Sequence, residues 1–229
     1  MKINDFTVNI ALPLQYNNTT RHFPVVYLMG ETDVEPLIHL LNPHFDKDCI
    51  PFIITGIEGK DWNSSFSPWA AQKQGKNLGP FSGGGPQFLQ MMEQSVIPAI
   101  DRMYRTVATP ENRILAGYSL AGLLTLYALY NSKYFSRYAC MSGSLWFPHW
   151  IEYIQTHTPA VLSPYIYLSL GKKEKESRNP VMATVEDRTQ QTIEALAPYI
   201  PFFEATEGGH FNNIQQRIVK GLIHSIQQF

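Results

Sequence analysis

Three stretches of this 229-residue sequence could do chemistry: a serine among small residues, a histidine behind two glycines, and a short acidic run between lysines. The serine is Ser119, in Gly117-Tyr118-Ser119-Leu120-Ala121-Gly122. The apolar residues before it read as a strand and Leu120–Tyr130 reads as a helix, so Ser119 falls on a strand-to-helix corner. Such a corner lifts a hydroxyl clear of the sheet and aims a helix N-terminus at it. The chain reverses so sharply there that the residues two before and two after the serine must be small, as Gly117 and Ala121 are. Gly122 then lets the helix pack closely on the sheet. The Leu120 N–H becomes one donor for a developing oxyanion, and a second is expected from Gly30-Glu31, after the strand read in "VVYLM". The competing explanation of the same string is a buried strand–helix crossing that needs small residues and does no chemistry.

A hydroxyl is a poor nucleophile near neutral pH and needs a base, usually a histidine oriented by a carboxylate. Four histidines follow Ser119: His149, His157, His210 and His224. His149 sits among aromatics, His157 in a polar stretch and His224 in an apparent C-terminal helix. His210, in "EATEGGHFNN", lies just past the last strand and before the last helix, where a base can reach the corner, and Gly208-Gly209 would let the loop curl. For the acid, the loop after "YIYLSLG" offers Glu174 and Glu176, with Asp187 further along. Glu174 is nearest the strand end. A Ser-His dyad with no acid stays open on these residues alone.

The elements that must position these groups follow from patterning. "PVVYLMG", "PFIITGI", "RILAG", "RYACMSG", "YIYLSLG" and "PFFEAT" read as buried strands. Between them lie helices: Phe88–Tyr104, with an apolar residue every four and a kink at Pro98; a segment opened by the Asn179-Pro180 cap and running towards Leu196; and Phe211–Gln228. "FTVNIALPL" and "FPVVYLM" suggest a hairpin at one sheet edge. Alternation of this kind predicts an α/β fold, a mainly parallel sheet covered by helices on both faces, with residues 1–229 forming a single domain. Asp33 and Glu35 would favour a helix start after the Gly30-Glu31 loop.

Composition excludes several classes. Net charge is −1 with 16% charged and 44% hydrophobic residues, so no basic surface points to nucleic acid. The uncharged run Ile114–Ser132 approaches membrane-spanning length, but glycines, serines, a threonine and tyrosines dilute it, and a membrane role is not expected. The N-terminus lacks the apolar core of a secretion signal, and Cys49 and Cys140 stand far apart, so a cytoplasmic setting is expected. No cluster has metal-ligand spacing, and "FSGGGP" lacks the ending of a phosphate loop. Trp62, Phe66, Trp69 and Trp146 fall in loops above the expected site and could wall an acyl or aryl pocket.

The ordered set of motifs resembles the esterase D-like putative esterase family, α/β-hydrolases related to enterobactin (trilactone siderophore) esterases. The resemblance runs over almost the whole chain: "FPVVYLMGE", "GIEGKDWNSSFSPW", "GPFSGGGPQFLQMMEQSVIPAIDRMYRT", "ILAGYSLAGLLTLYAL", "KYFSRYACMSGSLWF", "SLGKKE" and "EGGHFNN". It implies Ser119 as nucleophile, His210 as base, Glu174 as acid, and Leu120 with Gly30 or Glu31 as the oxyanion hole. Two departures concern the substrate loops. Relatives carry an Arg and an Asp before a Tyr/Phe-Thr-Pro where this chain has "DWNSSFSPW", with Ser65 in place of the acid. Gly143 stands where they have proline before Ser-Leu-Trp.

The resulting expectation is a serine hydrolase cleaving small-molecule carboxylic esters through an acyl-enzyme, without cofactor or metal. Siderophore-type lactones and small acyl or aryl esters are the candidate substrates. An acyltransferase on the same scaffold and a non-catalytic binding protein are the alternatives, and a homodimer is left open.

Overall fold

The computed structural model describes residues 1–4, 6–75 and 78–226. Its strands are β1 (Lys2–Ile3), β2 (Phe6–Ala11), β3 (Val25–Met29), β4 (Ile53–Ile57), β5 (Ala70–Ala71), β6 (Phe81–Ser82), β7 (Arg113–Tyr118), β8 (Arg137–Met141), β9 (Tyr165–Gly171) and β10 (Phe202–Thr206). The helices are α1 (Glu35–Leu41), α2 (Trp62–Ser65), α3 (Gly85–Met91), α4 (Ile97–Met103), α5 (Leu120–Asn131), α6 (Trp150–Thr156), α7 (Val185–Ala195) and α8 (Ile214–Ile226). Eight strands form one sheet in the order β1-β2-β4-β3-β7-β8-β9-β10, and β5 and β6 make a small separate ribbon. From β4 to β10 every pairing is parallel.

The central strands are apolar on both sides because each side meets its own core. Val25, Tyr27 and Met29 face the layer of α3 to α7, while Val26 and Leu28 face α1 and α8. Alternating side chains on a pleated strand make this split, so a continuous apolar run marks a strand covered twice. The fold is α/β, with a mainly parallel central sheet and helices on both faces.

Three sequence expectations change. The N-terminal strand β2 does not form a hairpin with β3; it pairs antiparallel with β4, and its hairpin partner is the short β1. Both edges of β3 are taken by the parallel neighbours β4 and β7. "PFFEAT" is not buried: β10 is an outer strand, and Phe202 and Phe203 are each 40% exposed. The Phe88–Tyr104 helix is interrupted by a π-helical turn over Met92–Val96 before α4 begins. That wider turn precedes Pro98, which sits in the first turn of α4, where its missing N–H costs least. The C-terminal helix expectation reached Gln228; Gln227 and Gln228 lie outside the described residues.

The run Ile114–Ser132 is divided between β7 and α5, and no described helix is long and apolar enough to cross a membrane. Cys49 and Cys140 are free and buried.

Candidate active site

Ser119 is the single residue between β7 and α5, with φ 59° and ψ −121°. Its N–H donates to the Met141 carbonyl at 3.1 Å, and its own carbonyl accepts from Ser144 and Leu123. These bonds from β8, the loop after it and α5 hold a backbone conformation that a non-glycine residue rarely adopts. The turn closes because Gly117 lacks a side chain: a Cβ there would lie 2.4 Å from the Ala121 carbonyl carbon and oxygen. Both are backbone atoms, so the clash has no rotamer remedy. Gly117→Ala is therefore expected to destabilise the protein by about 3 kcal/mol or more. A midpoint shift in urea unfolding measures this, and a variant as stable as the parent would contradict the packing.

His210 sits on the loop between β10 and α8, and Glu174 opens a short 3₁₀ turn after β9. Residues separated by 91 and 36 positions are thus joined in series. His210 Nε2 lies 2.9 Å from Ser119 Oγ, and His210 Nδ1 lies 2.7 Å from Glu174 Oε2. The other carboxylate oxygen of Glu174 accepts from the Ser142 hydroxyl at 2.8 Å and the Gly171 N–H at 2.8 Å. Burial works to raise the Glu174 carboxyl, but hydrogen bonding and charge from His210, with the Gly171 and Ser142 donors, outweigh it and hold the group below the usual carboxylate range. It is ionised at neutral pH. A hydroxyl bonded to an imidazole that is held from behind by a carboxylate can give up its proton as it attacks a carbonyl carbon.

The two expected oxyanion donors fare differently. The Gly30 N–H is already given to the Ile57 carbonyl at 2.8 Å, which corrects its expected role. Glu31, the next residue, lines the cavity together with Leu120, the first residue of α5.

Ser119 and His210 open onto a cavity of about 380 Å³ walled largely by Leu28, Met29, Leu120, Trp146, Ile214 and Ile218. Of the four aromatics expected over the site, Trp62 and Trp146 line it. Phe66 and Trp69 do not. Phe66 is 1% exposed and packs edge-on beneath Trp62 and against Phe88. The Trp69 indole donates to the Pro148 carbonyl, and its ring packs edge-on against Tyr127 and Phe147 and tilted against Tyr153. Both aromatic side chains build the support for the loops rather than the wall. Sequence reasoning missed Ser142, Tyr118 and Arg217, which surround Glu174 and the His210 loop. Among the described residues, no group of three or more His, Cys, Asp or Glu could hold a metal ion.

Known proteins share this arrangement of chain. The chain is 25% identical over 190 residues to the uncharacterized protein YbbA of Bacillus subtilis, covering 82% of this chain and 76% of that one. It is 26% identical over 182 residues to an endo-1,4-beta-xylanase/feruloyl esterase of Xylanibacter ruminicola, covering 73% of this chain but only 23% of that larger protein. Among solved structures, an IroE-like serine hydrolase from Shewanella oneidensis superposes with a TM-score of 0.77 at 23% identity, covering 94% of this chain and 73% of the other. The enterobactin esterase FES from Shigella flexneri superposes at 0.73 with 20% identity, over 95% of this chain and 54% of its own. These two likenesses establish the shared fold. The family model described as "Putative esterase" matches residues 3–210, so the chain belongs to that family and is a carboxylic ester hydrolase.

Proposed function

We propose that this enzyme hydrolyses small carboxylic esters through an acyl-enzyme on Ser119. The observation that carries the reading is the continuous hydrogen-bonded series from Ser119 through His210 to the ionised Glu174, at the mouth of an apolar cavity. In this reading Ser119 Oγ attacks the ester carbonyl while His210 Nε2 takes its proton. The Leu120 and Glu31 N–H groups receive the charge developing on the carbonyl oxygen. His210 returns the proton to the departing alcohol, then draws one from water, which attacks the acyl-enzyme and releases the acid. Glu174 holds the imidazole tautomer that leaves Nε2 free to accept.

The cavity supports an uncharged, apolar acyl group, aliphatic or aryl. Glu31 is the single carboxylate among its described lining residues, and no described arginine or lysine lines it. Siderophore-type lactones stand as one candidate class, because the enterobactin esterase and siderophore hydrolases share the fold.

Intact-mass measurement after fluorophosphonate treatment tests the mechanism. One adduct is expected on the parent protein and none on Ser119→Ala or His210→Ala. A parent protein that takes no adduct would overturn the acyl-enzyme reading. Hydrolysis of a series of acyl esters and a trilactone, with and without an added alcohol acceptor, then identifies the acyl group and separates release to water from transfer.

A further inference from the structure

Behind the Ser119–His210–Glu174 series lies a guanidinium that the proposed chemistry does not use. Arg217, on the first turns of α8, is 3% exposed. Its Nη1 lies 2.9 Å from Glu174 Oε1, 2.8 Å from Ser142 Oγ and 3.0 Å from the Tyr118 hydroxyl. Its Nη2 donates to the carbonyls of Glu207 and Gly209, at 2.8 and 2.9 Å. One planar group therefore ties together the acid, the residue preceding Ser119, and the segment leading into His210. Tyr118 extends the tie by donating its own hydroxyl to the His210 carbonyl at 2.7 Å.

The fold makes room for this at specific expense. A Cβ on Gly171, the last residue of β9, would sit 2.5 Å from Arg217 Nη2 and 2.5 Å from the Gly208 carbonyl oxygen. Only a bare backbone at the strand end lets the guanidinium pass between the acid loop and the histidine loop. Ile218 and Leu222 of α8 are fully packed against the sheet, which fixes the helix and so the base of the arginine. Burying a cation is costly unless its donors are met, and a lysine would bring three donors from one point rather than a flat fork. The donors that Glu174 does not meet run to two carbonyls of the histidine loop and to the Tyr118 hydroxyl, so the bonds that satisfy the buried cation also tie it to the groups around Ser119.

We infer that Arg217 is a positioning residue for the reaction: with Tyr118 it sets the His210 imidazole and the Glu174 carboxylate in register with Ser119. This rests on the ester-hydrolase reading above. Positional errors of this kind act on the chemical step and leave binding of the acyl group in the cavity unaffected.

The test compares kcat and KM across pH for a p-nitrophenyl ester with the parent enzyme, Arg217→Lys, Arg217→Met and Tyr118→Phe, each checked for cooperative thermal unfolding. Arg217→Met is expected to lower kcat by about 100-fold with KM changed by no more than about threefold. Its acid limb should move to higher pH, because removing the guanidinium 2.9 Å from Glu174 Oε1 makes a proton on that carboxylate harder to lose. Arg217→Lys should recover part of kcat, and part of the acid limb. Tyr118→Phe, which deletes one hydroxyl and keeps the ring, should lower kcat by about 5- to 10-fold at unchanged KM. A folded Arg217→Met enzyme with the parent's kcat and pH profile overturns the inference. If that variant does not fold, a folded Tyr118→Phe enzyme with the parent's kcat and profile overturns it instead. A parent protein without turnover removes the ester-hydrolase reading itself, and the inference with it; an active parent with unaffected variants removes only the role of Arg217.

Discussion

Replacing Ser119 by alanine is expected to lower kcat on an activated ester by about a million-fold while leaving the protein folded. The size follows from losing the nucleophile outright: what remains is attack by water assisted by the two backbone donors and by binding. The fold survives because Ser119 makes its structural contacts through the backbone. The bonds to Met141, Ser144 and Leu123 use its N–H and carbonyl, whereas its hydroxyl meets His210 and, at 3.4 Å, Ser144. Alanine keeps the Cβ and so carries the same backbone strain at φ 59° as serine. His210→Ala should cost nearly as much, and the double variant little more than either, because the two groups act in one step. Stopped-flow release of p-nitrophenol and a thermal melt measure both halves. A Ser119→Ala protein with native melting that keeps more than about one hundredth of the parent's turnover would place the nucleophile elsewhere.

The residues joined in that step were legible in the sequence to different degrees, for physical reasons. Ser119 could be found because a sharp strand-to-helix turn demands small residues at fixed offsets, and Gly117 and Ala121 record that demand locally. His210 and Glu174 could be placed because loops at the ends of parallel strands converge on one edge of such a sheet. The order of the outer strands was not legible in the same way. β2 mixes buried with half-exposed positions, the mark of a strand near an edge, whereas β3 is buried at every position, as a central strand is. That contrast, taken seriously, argues against the hairpin between them. Arg217 was hidden because its role depends on which residues come together in space. One local sign existed: Arg217, Gly221 and Ser225 recur every four residues beside the apolar stripe of α8, and all three are buried. A long cation on a buried helix stripe implies an anion waiting for it. Phe66 and Trp69 misled because an aromatic residue in a loop near a site can equally support the loop from beneath, and no spacing rule separates the two.

Glu174 carries the other large effect, and two substitutions divide its roles. Glu174→Leu should destabilise the fold by about 3–5 kcal/mol, since it strands the buried Arg217 guanidinium without an anion. It also leaves the Ser142 hydroxyl and the Gly171 N–H without their acceptor. Glu174→Gln can still accept from Arg217, Ser142 and Gly171 through its carbonyl oxygen, so its loss of stability should be smaller. Its amide, however, must donate where the carboxylate accepted. That forces His210 Nδ1 to act as an acceptor and puts the ring proton on Nε2, facing Ser119. An imidazole in that tautomer cannot take the serine proton, so Glu174→Gln should lose about 10³- to 10⁴-fold in kcat while remaining folded. The pH dependence of stability separates the charge from the geometry. Because the folded protein holds Glu174 below its ordinary value of 4.5, the unfolded chain takes up that proton first as the solution is acidified. The carboxylate therefore contributes its stability in full above that value and loses it as pH falls through the lower folded value. The parent's urea midpoint should accordingly drop more steeply than that of Glu174→Gln as the solution is acidified below pH 4.5. Parallel midpoints over that window would mean that the ionised carboxylate contributes nothing to the fold. A Glu174→Gln enzyme with the parent's kcat would mean that Ser119 and His210 work as a pair without it.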